Sequence, residues 1–306
     1  MSFANGSYRA TLSNNAAPNF PKGIIGADGG GSTTDTDRLL VITATGTYKN
    51  ASSTIEAVAN IPSILPPGGI TNLGPGGRLR LEDQAEVNGN NFDPPALPCS
   101  GAACGGTANG SVPAKPGILS DTAFSLELSG TPQVLGTPPT QIDATQTSTN
   151  WQSIATSLIP LATITYTSSA DISAPVTWGT PSNPAITYIT GGTVKIRDSG
   201  GTLTGAGILI IDGSSGRLEI EGTANFQGLI IVQGDARLRI RPKDPQTANI
   251  LGGIVMVAST PDPGSGPEDN PRVRIQKLST IRSSQAALQA ASRLLVTSLL
   301  SWREVK

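Results

Sequence analysis

The chain has 306 residues with a formal net charge of -1; 14% are charged, 4% are aromatic, and Gly (36) and Pro (24) are abundant. This near-neutral balance gives no electrostatic reason to expect nucleic acid or acidic membranes as partners. The chain contains no histidine, which excludes Ser-His-Asp and Cys-His catalytic arrangements. The Gly-, Thr- and Asn-rich composition favours a mainly β fold and export from the cell.

Residues 1–62 are predicted to form a small N-terminal β-sheet. Two β-branched runs, RLLVITATGTY and STIEAVANI, are joined by the short segment KNAS, which predicts a hairpin. Because side chains alternate along a strand, every second residue of each run should face the same side of the sheet. The predicted pairing places Leu40, Ile42 and Ala44 opposite Ile55, Ala57 and Ala59.

Residues 63–306 contain internal repeats. The segment RLRLEDQAEVNG at 78–89 recurs as RLEIEGTANFQG at 217–228, and GILIIDG, GLIIVQG and GGIVMVA begin at Gly207, Gly228 and Gly252. Self-similarity at this period is typical of a solenoid. We therefore predict a right-handed parallel β-solenoid, or β-helix; the alternative is a β-sandwich whose strands share a composition.

A long insertion, 93–190, is predicted between the first repeat copy and the main repeat block. Within it, Trp151, Ile154, Leu158 and Ile159 recur at helical spacing, and we expect this apolar stripe to pack in the core. The repeat at 78–89 is expected to join the solenoid across the insertion.

The C-terminal segment from about 278 to 302 has apolar residues at intervals of three and four, which predicts an amphipathic helix. Solenoid ends expose strand edges and need a cap. We expect this helix to cap the solenoid or, alternatively, to dock onto a partner subunit.

Cys99 and Cys104 are the two cysteines of the chain. A four-ligand zinc site cannot be assembled from two cysteines without histidine. The pair is predicted to form a disulfide in an oxidising compartment; the alternative is two free thiols in a reducing one.

Two polar clusters are weak candidates for calcium, and no other cofactor or metal is predicted. The first contains Asp35 and Asp37, and the second contains Asn88, Asn90, Asn91 and Asp93. Calcium needs six to eight oxygen ligands. The second cluster has a sufficient density of oxygen-bearing side chains but only one carboxylate, so its affinity for calcium would be weak. The alternative is that these side chains serve turns through local hydrogen bonds.

A polysaccharide-degrading enzyme would need carboxylates that converge on one sheet face. In the repeats, Glu219, Glu221 and Asp235 instead alternate with arginines, a pattern that predicts a surface charge ladder; the arginines are Arg217, Arg237 and Arg239. Aromatic platforms for sugars are scarce. The chain is therefore predicted not to be an enzyme, with no catalytic residues.

Several segments together resemble the PilX-like type IV pilus assembly proteins, which are minor-pilin-type components of bacteria. They are NGSYRATLSNN, TDTDRLLVITATGTYKNASSTIEAVA, RLRLEDQAEVNGNNFD, WGTPSNPAITYITGG, the block GAGILIIDG, FQGLIIVQGD and GGIVMVAS, and SWREV. The resemblance implies an N-terminal hydrophobic helix that is cut by a prepilin peptidase and enters the pilus. This sequence shows no apolar run of the roughly 20 residues that span a membrane, so we expect it to be the soluble part of such a protein.

The expected function is that of an extracellular, non-enzymatic structural or adhesive subunit associated with type IV pili. Its expected partners are pilin or pilus assembly subunits, and surface glycans as a further class. The alternatives are a free-standing carbohydrate-binding protein of the cell surface and a β-helix enzyme that degrades polysaccharides.

Overall fold

The computed structural model describes residues 2–3, 6–14, 39–60, 64–74, 77–213, 215–258, 272–295 and 298–305. The chain divides into two compact units. One comprises Met1–Ser63 together with Leu295–Lys306, and the other comprises Ile64–Leu294. The first unit therefore contains both ends of the sequence, and the second is inserted between them as a single block.

The first unit is an antiparallel sheet. Its N-terminal strands are β1 (Ser2–Phe3), β2 (Gly6–Asn14), β3 (Leu39–Tyr48) and β4 (Ala51–Asn60). The hairpin predicted from the sequence is confirmed as β3 and β4. Its register pairs the predicted residues directly: Leu40 with Ala59, Ile42 with Ala57 and Ala44 with Ile55.

The second unit contains two parallel sheets. The broad sheet has twelve strands: β5 (Ile70–Leu73), β7 (Glu86–Asn88), β10 (Ile118–Ser120), β12 (Gln133–Leu135), β13 (Thr140–Ile142), β14 (Ile164–Tyr166), β16 (Pro175–Trp178), β17 (Ala185–Ile189), β19 (Thr202–Ile211), β21 (Thr223–Gln233), β23 (Ala248–Val257) and β25 (Ser279–Ser283). The narrow sheet has seven: β6 (Arg78–Asp83), β11 (Ser125–Gly130), β15 (Ala170–Ile172), β18 (Thr193–Ile196), β20 (Arg217–Ile220), β22 (Arg237–Ile240) and β24 (Val273–Ile275).

The remaining elements of the second unit are short. Two helices, α1 (Ser148–Leu158) and α2 (Gln285–Ser292), lie against strands of the broad sheet. A small antiparallel pair is formed by β8 (Phe92–Asp93) and β9 (Thr107–Ala108), and 3-10 turns occur at Gly101–Gly105 and Ile159–Leu161. The predicted helix in the middle of the chain is thus confirmed as α1, whose Trp151 and Leu158 are buried.

The strands of consecutive repeats pair in parallel, with equivalent residues side by side. In the broad sheet, Gly207 pairs with Gly228 and Gly228 with Gly252. In the narrow sheet, burial alternates along β18, β20 and β22, so that every second residue of these strands points into the core. One resulting apolar row is Ile172, Ile196, Ile220, Ile240, Ile275, Leu81 and Leu128. The pairing is compatible with a solenoid, whose closure and handedness stay predictions.

The central strands of the broad sheet are buried on both faces. In β21 nine consecutive residues are buried, and in β23 all ten are buried. The helix α2 packs against β19, β21 and β23 and buries its Leu288 there. This cover explains why the sequence has unbroken aliphatic runs rather than strict alternation.

The strands of the second unit are not stacked in the order of the chain. The early strands β5, β6 and β7 pair with the late strands β23, β24 and β25. On their other side they pair with β10, β11 and β12. The strands β14, β15 and β16 pair instead with β17, β18 and β19. The expected joining of residues 78–89 to the later repeats is confirmed, although the direct neighbour is the segment 273–282 and not the matching copy at 217–228.

The predicted insertion 93–190 is wrong in extent. Residues 118–142 add strands beyond the first repeat copy at one end of the sheets, and residues 164–189 add strands at the other end. Their sequences lack long aliphatic runs because terminal repeats have a neighbour on one side only. All three residues of β13, for example, are exposed.

The predicted C-terminal helix over about 278–302 is also wrong at both ends: Gln285–Ser292 is helical, whereas Ser279–Ser283 and Ser298–Val305 are strands. In β25 the buried residues Ser279, Ile281 and Ser283 alternate with partly exposed ones, which is a strand pattern. Ser284 then caps α2 by accepting a hydrogen bond from the Ala287 backbone N–H at 3.3 Å.

After α2 the chain forms β26 (Ser298–Val305), which pairs antiparallel with β4 in the first unit. Pairing with an open strand edge satisfies backbone groups that a helix would satisfy internally. The predicted domain 63–306 is therefore wrong at its C-terminal boundary, since the last strand belongs to the N-terminal sheet.

The apolar row of the narrow sheet offers a matched pair of substitutions. Leu81 and its register partner Leu128 occupy the same row, but Leu81 is 0% exposed and Leu128, on the edge strand, is 56% exposed. We expect Leu81→Ala to lower the free energy of unfolding by about 2–5 kcal/mol, because it leaves a cavity. Leu128→Ala should change it by less than about 0.5 kcal/mol. Urea denaturation measures both; equal losses would contradict the assigned burial.

The glycine column of the broad sheet offers a second test. Gly228 has a φ of 138°, and a Cβ atom built there would lie 2.0 Å from the carbonyl oxygen of Gly207. We expect Gly228→Ala to destabilise the fold by about 1–3 kcal/mol, since the backbone of the neighbouring strand must move. The control is Gly46→Ala, where a Cβ meets nothing within 4 Å. Thermal unfolding of both variants, with a large loss for Gly228→Ala alone, is the expected result.

Candidate functional site

A groove of about 640 Å³ lies on the outer side of the broad sheet. Its floor follows four neighbouring strands, with Asn249 on β23, Thr280 on β25, Glu86 on β7 and Gln133 on β12. Each of these residues is the register partner of the next. The floor is therefore one row of polar side chains that crosses the place where the early and late parts of the chain meet.

Strand alternation explains why this row faces outward. The next residue along each of the first three strands is apolar and buried, namely Ile250, Ile281 and Val87. Two hydrogen bonds order the row: Thr280 Oγ1 donates to Asn249 Oδ1 at 2.9 Å, and Asn249 Nδ2 donates to Asn225 Oδ1 at 3.0 Å.

A salt bridge between Arg282 and Glu86 lies in the floor of the groove. Arg282 donates to both carboxylate oxygens of Glu86, with Nε to Oε1 at 2.9 Å and Nη2 to Oε2 at 2.9 Å. Its Nη1 donates to the backbone carbonyl of Gly105 at 2.9 Å. The guanidinium also stacks over the ring of Phe92, 4.7 Å from its centre. Arg282 thus joins β25, β7 and the loop beside them.

Opposing effects act on the pKa of Glu86. Partial burial raises this pKa, but the hydrogen bonds from Arg282 and Asn88 and the positive charge of Arg282 outweigh burial, and the pKa is lowered from its ordinary value of 4.5. Glu86 is therefore ionised at neutral pH and has no proton to donate as a general acid.

The disulfide loop forms one wall of the groove through Gly101 and Gly105. The predicted bond between Cys99 and Cys104 is confirmed, with the two Cα atoms 5.3 Å apart. The bond closes the loop around a 3-10 turn, and the Arg282–Gly105 hydrogen bond ties that turn to the sheet.

Of the two candidate calcium clusters, the structure describes the second. Asp35 and Asp37 lie outside the described residues. In the second cluster, Asn88 Oδ1 accepts from the backbone N–H of Asn90, and the carboxylate of Asp93 accepts from Asn109 Nδ2 at 2.9 and 3.0 Å.

The neighbouring amide of Asn91 caps the second helix, since its Oδ1 accepts from the Gln285 backbone N–H at 2.8 Å. Each of these three side chains thus accepts from a different protein group, and the Asn88–Asn90 hydrogen bond is a local turn contact. Over the part of the chain that the structure describes, no group of three or more Cys, Asp or Glu side chains is placed to hold a metal ion.

The predicted charge ladder lies on the narrow sheet. Glu219 is the register partner of Arg239, but Arg217 stands beside Arg237, so the ladder does not alternate throughout. The other acidic residues find partners elsewhere. Glu221 pairs with Lys195 at 2.8 Å, and Asp235 pairs with Arg272 at 3.0 Å.

The groove itself was not predicted from the sequence. The alignment of the repeats contains a signal for the polar row of the groove. When 78–89 is matched to 217–228, Glu86 occupies the position of Asn225. In each of the three copies this position is followed by a buried apolar residue, namely Val87, Phe226 or Ile250. The sequence did not reveal that segment 78–89 lies directly beside 279–283, which is what brings Glu86 to Arg282.

Comparisons with known proteins give a weak structural likeness. No protein-family model matches the chain, and no curated protein matches its sequence. Among solved structures, the chain is similar to the competence-associated pilin ComZ from Thermus thermophilus, with 12% sequence identity and a TM-score of 0.26. The alignment covers 98% of this chain and 84% of that one. A TM-score of this size does not establish a shared fold.

The salt bridge between Arg282 and Glu86 predicts that Arg282 contributes more to stability than Arg197 does. The side chains of Arg282 and Glu86 are 22% and 18% exposed, whereas those of Arg197 and Asp171 are 37% and 61% exposed. We expect Arg282→Ala to lower the free energy of unfolding by about 1.5–3 kcal/mol, because it removes two charged hydrogen bonds from a half-buried carboxylate, which keeps the one from Asn88. Arg197→Ala should have a much smaller effect, since water screens its partner. Chemical denaturation of both variants would contradict this assignment if the losses were equal.

The lowered pKa of Glu86 predicts a dependence of stability on pH. A carboxyl whose folded-state pKa lies below its unfolded value stabilises the fold above the unfolded value, and this contribution is lost as the pH falls through the folded value. The stability of the wild type should therefore fall below pH 4.5. Glu86→Gln should show a shallower fall, so that the two curves converge in acid. Denaturation at a series of pH values from 7 to 3 measures the effect; parallel curves would contradict it.

Proposed function

We propose that this chain is a non-enzymatic, extracellular subunit associated with type IV pili, with a structural or adhesive role. We further propose that the unit Ile64–Leu294 is a β-solenoid that forms the rigid body of the subunit. The ordered segments that resemble PilX-like pilus assembly proteins support the association with pili.

The observation that carries the proposal is the order of the two units along the chain. The first and last strands of the chain belong to one antiparallel sheet, and the whole parallel-stranded unit is inserted between β4 and β26. This order suits a subunit whose sheet attaches it to a filament and whose second unit is exposed for binding. Loops and grooves on such a scaffold are where binding usually occurs.

The chemistry of the groove favours binding over catalysis. Its carboxylate, Glu86, is held in the ionised form by Arg282, so a pair of acid and base groups is not formed there. On the narrow sheet, Glu82 likewise bonds Arg274, at 2.9 Å. Paired charges of this kind stabilise the pairing of neighbouring strands.

A second candidate function is a carbohydrate-binding protein of the cell surface that is independent of pili. The polar groove favours it, because its floor presents amide and hydroxyl groups on rigid strands. The two functions differ in whether the protein is found with filaments.

The test is fractionation of surface filaments from the organism that carries the gene. We expect an antibody against the chain to detect it in the sheared filament fraction of the wild-type strain. In a strain that lacks the major pilin, the signal should leave that fraction, which serves as the control. Detection in the filament-free medium of both strains would contradict association with pili and favour the second function.

A further inference from the structure

The groove extends beyond the row of polar residues already described. A second cavity of about 510 Å³ shares Gln84, Thr131 and Leu278 with the first. The two cavities therefore form one continuous groove, which passes from the outer side of the broad sheet over the turn that leads to the narrow sheet.

The turn has a residue with a positive φ in three neighbouring repeats. Lys277, Asp83 and Gly130 all have positive φ angles, of 57°, 60° and 82°. Asp83 and Gly130 are register partners, so that their bends stack. Because the bends repeat, this part of the groove runs across the strands and suits an extended, repeating ligand.

The charges of the groove disfavour an acidic ligand. In the floor, Arg282 is bound by Glu86 and by the Gly105 carbonyl, so its donors are directed at protein acceptors. At the turn, the cation Lys277 is accompanied by the carboxylates of Asp83 and Asp244. Among the described residues that line the groove, three carboxylates stand against two cations, so these residues give no excess of positive charge to hold carboxylate or phosphate groups.

The uncharged groups of the groove match hydroxyl groups. The side chains of Gln84, Gln133, Thr131 and Thr247 each combine a donor with an acceptor. A sugar hydroxyl also donates and accepts, and adjacent hydroxyls pair well with amides. Leu278 lies where the two cavities join and is 43% exposed, which gives an apolar contact for the C–H face of a sugar ring.

The groove is also held in shape before any ligand arrives. Its floor belongs to hydrogen-bonded strands, and the disulfide and the Arg282–Gly105 hydrogen bond fix its loop wall. A site ordered in advance loses little conformational entropy on binding.

From these observations we propose that the groove binds a neutral oligosaccharide, which lies across β23, β25, β7 and β12. This inference rests on the adhesive part of the proposed function and names its ligand class. Binding by the isolated chain is measured apart from filament association, so either proposal can fail while the other holds.

The test is isothermal titration calorimetry of the full chain with cellohexaose, maltohexaose and chitohexaose, and with hexagalacturonate as the acidic comparison. We expect at least one neutral hexasaccharide to bind and hexagalacturonate to bind more weakly. Gln133→Leu should weaken binding of the neutral sugar about five- to tenfold, through loss of a hydrogen-bonding amide.

The matched control is Gln141→Leu. Gln133 and Gln141 are both exposed on three-residue strands of the broad sheet, β12 and β13, but only Gln133 lines the groove. Thr247→Val is a second groove variant, and circular dichroism checks that all three fold. Three results would overturn the proposal: no binding of any neutral hexasaccharide, tighter binding of hexagalacturonate, or equal weakening by Gln133→Leu and Gln141→Leu.

Discussion

Parallel pairing in register is the constraint on which the second unit depends. The backbone hydrogen bonds between neighbouring strands set each residue beside its equivalent in the next repeat, so a residue type that recurs in the sequence becomes a row in the structure. Isoleucine rows form the core, the Asn225–Asn249 pair forms a polar row, and the Gly207–Gly228–Gly252 column lets the strands approach closely. A shift of one residue in a strand of alternating burial, such as β20, would turn its apolar side chains out of the core.

The same constraint, combined with the strand order, creates the groove. Because β7 lies beside β25, the polar row continues from the late part of the chain into the early part. Arg282 stabilises this junction, since it contacts Glu86, the Gly105 carbonyl and Phe92, which all belong to the early part. The groove and the stability of the junction therefore share the same side chains, and a substitution at Arg282 affects both.

Local patterns in the sequence predicted local structure well. The spacing around Trp151 predicted α1, the alternation in 39–60 predicted the hairpin and its register, and the repeat copies predicted parallel neighbours. Long-range order was not predictable, because period and composition are the same whichever repeat a strand pairs with. This is why the sequence predicts an insertion at 93–190 that the structure does not have. It is also why the helical spacing of the C-terminus does not reveal the pairing of β26 with β4. The groove depends on that long-range order and was missed with it.

The strand order can be measured directly by double electron–electron resonance between spin labels at Glu127→Cys and Asp171→Cys, with the native cysteines held in their disulfide. These residues lie on β11 and β15, at opposite ends of the narrow sheet and six strand spacings apart. The observed order predicts a backbone separation of roughly 29 Å, at about 4.8 Å per strand. Repeats stacked in the order of the chain would bring these strands next to each other. A separation of roughly one or two strand spacings, about 5–10 Å, would contradict the order on which the groove depends.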